Sequence, residues 1–166
     1  MRLVLVGLIG VFAIAGALAA ADTWLEITSI TSLRYPRFYT ETFRVVRSQQ
    51  EWKALWQPAV SNPGSNLGPE RASPDVDFSK YTVLIAALGS RGSGGYTVTI
   101  RSARDDGTVI HVLVLEVRPR GPACAVTTEI SYPATTVLIP RTDKTARFEM
   151  ASADLDCTSF RSGTGG

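Results

Sequence analysis

The segment Tyr81–Leu88, reading Tyr-Thr-Val-Leu-Ile-Ala-Ala-Leu, constrains this chain more than any other stretch. A nearly unbroken apolar run of that length suits a strand buried on both faces. Seven residues follow, Gly89-Ser90-Arg91-Gly92-Ser93-Gly94-Gly95, four of them glycine. Beyond them Tyr96, Val98 and Ile100 alternate with Thr97, Thr99 and Arg101, which is the period of a half-buried strand. Together these features predict a central hairpin with a glycine-rich loop.

The remaining chain sets the compartment. Arg2 precedes an apolar stretch, Leu3 to Ala21, that ends in small residues, so residues 1–21 read as a signal peptide. The competing reading is an uncleaved membrane anchor, since the run is nearly long enough to span. Residues 22–160 are expected to form a single β-rich domain, and 161–166 a disordered Gly/Ser tail. Export makes Cys124 and Cys157, an even pair, candidates for a disulfide rather than two free thiols. A net charge of +2 gives no footprint for nucleic acid, and no stable membrane span is expected once the signal is removed. The expected localisation is periplasmic or secreted.

Taken in order, Trp24–Ile30 and Phe43–Arg47 are candidate strands. Ser48-Gln49-Gln50-Glu51 has capping-box spacing, and Trp52, Leu55 and Trp56 form one apolar helix face, with Pro58 as the stop. The two tryptophans read as core pieces, with ligand stacking as the alternative. Asn62–Asp75 reads as loop, followed by a turn capped by Asp77. Asp105-Asp106-Gly107 marks a tight turn into Val109–Val117, which should pair with the Tyr96 strand and end at Pro119 and Pro122. Ala134–Ile139 and Ala146–Met150 are later strands. The expected class is α+β and β-dominated: an antiparallel sheet, or an open barrel or sandwich, of six to eight strands with one packed helix.

Residues suited to chemistry are few. His111 is the only histidine and lies inside an apolar strand, so it reads as a core or edge residue rather than a catalytic base. The carboxylate pairs Asp75/Asp77, Asp105/Asp106 and Asp154/Asp156 read as turn and capping groups, and no catalytic set, metal site or cofactor is expected. A hydrolase drawing carboxylates from Asp75–Asp77 and Asp154 or Asp156 is the enzymatic alternative. A small-ligand or glycan domain using Trp and Tyr side chains is another. The glycine loop keeps three readings. Gly89, Gly92, Gly94 and Gly95 supply turn conformations; or Ser90, Arg91, Ser93 and Tyr96 contact a partner; or backbone amides cradle phosphate, though the loop lacks a Walker lysine and a following helix.

Glu51-Trp52-x-x-Leu55-Trp56, Val76-Asp77-Phe78, Val83-Leu84-Ile85, Leu88-Gly89 and Ser93-Gly94-Gly95-Tyr96-x-Val98-x-Ile100 occur in that order, followed by Pro133-x-x-x-Val137-x-Ile139-Pro140. Over roughly residues 43–148 this pattern resembles the PrcB C-terminal domain family. Ser93 stands where that family usually has threonine, and the cysteine pair is not one of its hallmarks. The resemblance implies an exported bacterial accessory domain without assigned catalytic residues, which contacts or stabilises another exported protein. The family takes its name from a subunit of a secreted protease complex, so a protease is the implied kind of partner.

Overall fold

The computed structural model describes residues 22–30, 38–60, 73–121 and 124–157. The expected signal peptide, most of the expected Asn62–Asp75 loop and the expected C-terminal tail lie outside the described residues. Among the described residues there are eight strands and one helix: β1 Thr23–Trp24, β2 Thr28–Ser29, β3 Glu41–Val46, α1 Gln49–Val60, β4 Tyr81–Leu88, β5 Thr97–Asp105, β6 Val109–Arg120, β7 Ala134–Pro140 and β8 Thr145–Asp156. They form two four-stranded sheets, ordered β1-β5-β6-β8 and β2-β7-β4-β3. The architecture is a β-dominated α+β sandwich with no closed barrel, within the expected class.

The apolar run of β4 is explained by its place in the middle layer. Leu84, Ala86 and Leu88 point into the core between the sheets, where they meet Val98, Ile100, Ile110, Val112 and Val114. Val83 and Ile85 point the other way, towards α1, and pack with Val46, Trp52 and Leu55. A strand covered on both faces favours apolar side chains, hence the nearly continuous run, and the one buried polar side chain in it, Thr82, has its hydroxyl bonded to the Thr142 backbone. Trp52 is fully buried, and its indole donates to the Pro74 carbonyl at 2.9 Å. The core reading of that residue therefore holds; the side chain of Trp56 falls outside the described atoms.

The central hairpin is corrected. β4 pairs with β3 and β7, whereas β5 pairs with β6 and β1, so the glycine loop crosses between sheets. Hairpin loops usually span about 2–5 residues, and this loop is longer, enough to climb from one layer to the next. The β5–β6 pairing and its Asp105-Asp106-Gly107 turn are as expected. Arg101 is an extra residue at a register shift between Ile100 and Ser102, and the shift turns Ala103 back into the core.

Four element limits also differ. Trp24–Ile30 is not one strand: β1 and β2 sit in different sheets, and the chain crosses between them. The helix runs past Pro58 to Val60, because a proline in the last turn removes only one intrahelical bond. β6 continues through Pro119, which is no obstacle because its pairing with β5 stops at Val117. β8 extends to Asp156 and runs parallel to β6 along its whole length. The capping box is displaced by one residue. Ser48 Oγ accepts from the Glu51 amide at 3.2 Å, but Glu51 reaches back to the amide of Arg47 at 2.9 Å.

Candidate interaction rim at the glycine loop

Two connections cross between the sheets at the same end of the sandwich. One is the glycine loop. The other links β6 to β7, and its closing residue Pro133 accepts from the Leu88 amide at 3.0 Å. The two are stitched together by main-chain bonds. Arg91 and Ser131 exchange both, at 2.8 and 3.0 Å, and the Gly94 amide donates to Thr127 O at 3.0 Å. Ser131 Oγ donates to Ser93 O at 2.6 Å. A loop with so many satisfied amides and carbonyls is held in one shape.

The glycines do distinct work in this shape. Gly89 has φ +73°, and a Cβ there would lie 2.8 Å from the Glu41 amide nitrogen, so the loop begins by pressing on the backbone of β3. Gly95 has φ +85°, and a Cβ there would lie only 2.8 Å from Val126 Cγ1. Gly94 keeps negative φ, but Thr127 occupies the space of a side chain. Gly92 faces open space and needs no special conformation.

Arg91 does not protrude. Its Nε lies 3.0 Å from Glu116 Oε1, its Nη1 donates to Leu88 O at 2.6 Å, and its guanidinium carbon sits 5.9 Å from the centre of the Tyr96 ring. Glu116 is buried on β6, and its other oxygen accepts from Ser152 Oγ at 3.3 Å. The arginine thus compensates a carboxylate that would otherwise be stranded in the interior. Of the four residues expected to meet a partner, Ser90 is exposed, while Arg91, Ser93 and Tyr96 are half-buried. The apolar exposure at this end comes from residues that the sequence pattern did not single out. Tyr39, Val126 and Ile130 are 54%, 40% and 61% exposed, and Tyr39 packs edge-on against Tyr132 at 5.1 Å. A tyrosine before β3 and an isoleucine in a polar connection give no periodic signal, so sequence pattern alone does not mark them.

The carboxylates remain apart. Asp77 accepts from the Ser79 amide at 3.0 Å and contacts Lys80 Nζ at 3.2 Å, as a turn cap does. Asp154 pairs with Arg118 at 3.0 Å and Arg120 at 3.4 Å. Asp77 precedes Tyr81, which pairs with Pro140, so it lies near the end of the sandwich where β8 begins. Asp154 lies nine residues along β8, about 30 Å away at strand rise. These two groups cannot share one cleft. Asp106 accepts from the Thr108 and Val109 amides and from His111, and these bonds hold its carboxyl well below the ordinary value of 3.8. His111 lies on β6 between β5 and β8, and that contact at 2.7 Å occupies it as a structural residue of an interior strand rather than of an edge. Cys124 and Cys157 form the expected disulfide, joining the β6–β7 connection to the end of β8.

Fold and rim together define a helix-backed β-sandwich whose distinctive end is built from a glycine loop and a cross-braced second connection. Residues 82–140, from β4 through β7, match the family model described as PrcB C-terminal, the family that the sequence resembles. The match takes in both crossing connections; the helix, β3 and β8 lie beyond it. No curated protein and no solved structure matches the chain.

Proposed function

We propose that this protein is an exported, non-catalytic accessory domain that contacts or stabilises another exported protein, with a protease complex as the partner suggested by the family match. Its first 21 residues direct export, and the mature protein works in the periplasm or outside the cell. The disulfide is compatible with that location. No helix among the described residues is long and apolar enough to cross a membrane. The observation that carries the reading is the rim itself, with exposed Tyr39, Val126 and Ile130 around a loop already fixed by internal bonds. A pre-shaped apolar and aromatic surface binds without paying to order itself. Ser90 supplies direct polar contact, while Arg91, Ser93 and Tyr96 hold the loop in its binding shape.

The test uses positions that do not support the fold. Ile130→Arg and Gly92→Arg add charge to the rim where there is room. The mature protein and each variant are cross-linked in extract of exported proteins, and the adducts are identified by mass spectrometry. A partner lost in both variants at unchanged melting temperature supports the proposal. A partner retained by both removes the rim from the interface.

A further inference from the structure

Among the described residues β8 has one neighbour within its sheet: β6 flanks it on one side and no strand lies on the other. Long strand edges of this kind normally carry a device against pairing, such as proline, lysine, a bulge or an inward charge. The two halves of β8 differ in this respect. The second half carries Asp154 on the core-facing side, locked to Arg118 and Arg120, and ends beside the disulfide. The first half, Thr145 to Ala151, has no proline, lysine or bulge, and its register with β6 is unbroken.

Arg147 and Glu149 stand on the outer face of that open half, and Phe148 between them faces the core. Among the described residues Arg147 makes no ion pair. Glu149 is 71% exposed, with only a 3.9 Å approach to His111 Nδ1. The triplet Arg147-Phe148-Glu149 is its own complement when reversed. Antiparallel pairing of two β8 strands about a two-fold axis at Phe148 sets Arg147 of each copy opposite Glu149 of the other, on the same sheet face. The core-facing side then pairs Phe148 with Phe148 and lays Ala146 against Met150, which is 46% exposed in the single chain.

We propose that β8 is a homodimer seam: two copies of this chain join antiparallel through residues Thr145 to Ala151, and their four-stranded sheets merge into one. Reciprocal charge across the axis is what selects a second copy over an unrelated strand. The seam lies away from the glycine-loop rim, so the dimer displays two rims at opposite ends.

Sedimentation velocity of the mature protein over a concentration series tests the seam, using Arg147→Glu, Glu149→Arg and the double exchange. The wild type should form dimers. Each single reversal sets like charges opposite each other twice and should weaken self-association about tenfold or more. The double exchange should restore it, with melting temperatures unchanged throughout. A monomeric wild type, a dimer indifferent to single reversal, or a double exchange that fails to restore dimers would overturn the proposal.

Discussion

Arg91 on the glycine loop and Glu116 on the central strand of the other sheet meet at 3.0 Å, and this contact fastens the crossing connection to the sheet that it enters. Because Glu116 is buried, removing the arginine leaves a carboxylate without its cation. Arg91→Ala should therefore cost about 2 kcal/mol or more in urea unfolding. A double-mutant cycle with Glu116→Gln should show strong coupling. Additive losses would mean that the pair is incidental.

Glycine substitutions should sort by position. Gly89→Ala and Gly95→Val each combine positive φ with a crowded Cβ site and should cost about 1 kcal/mol or more. Gly92→Ala meets open space and should fall within about 0.5 kcal/mol of wild type. Thermal melts of the three variants decide this.

Trp52→Ala should be among the most damaging single changes, at about 3–5 kcal/mol, since it empties the layer between α1 and β4. Trp52→Phe keeps most of the apolar volume but loses the bond to Pro74 O, and should cost less. Equal losses would show that volume is not what the site requires.

Reduction of the disulfide should destabilise the domain by about 3.8 kcal/mol on the chain-entropy model, for a sequence separation of 33 residues. Unfolding of the oxidised protein compared with a Cys124→Ser, Cys157→Ser variant gives the value. A difference near zero would mean that the reduced ends stay together unaided.

The β5–β6 turn sets an acid limit. Bonds from Val109, His111 and Thr108 lower the Asp106 carboxyl, and bonds from Lys144 and Gly107 lower Asp105. A lowered carboxyl contributes stability above its unfolded value of 3.8 and loses it as pH falls towards the folded value. Carboxyl NMR should show Asp106 still ionised at pH where free aspartate is half protonated. Asp106→Asn should flatten the acid side of the stability profile.

The sequence was informative wherever burial left a pattern. The double-faced run of β4, the alternation of Thr97 to Ile100, the Asp-Asp-Gly turn and the Trp52 face all appear in the structure as local rules require. Pairing between distant segments leaves no such mark. Nothing between Leu88 and Tyr96 says whether the next strand lies beside β4 or in the facing sheet, except that the loop is long for a hairpin. The second half of β8 escapes local reading because Ala151, Ser152, Ala153 and Asp154 are poor strand formers on local preference, and pairing with β6 overrides that preference. At the rim, one of the three readings of the loop set Arg91 against a partner. Its inward turn depends on Glu116, a residue 25 positions away.

The parallel pairing of β6 with β8 has a consequence for biogenesis. A chain that emerges amino terminus first presents β6 with one flank bare until its final quarter is released. Cys124 must wait as a thiol over the same interval, since Cys157 arrives only with the closing strand. The disulfide therefore joins two ends that are both present only once the closing strand has been made.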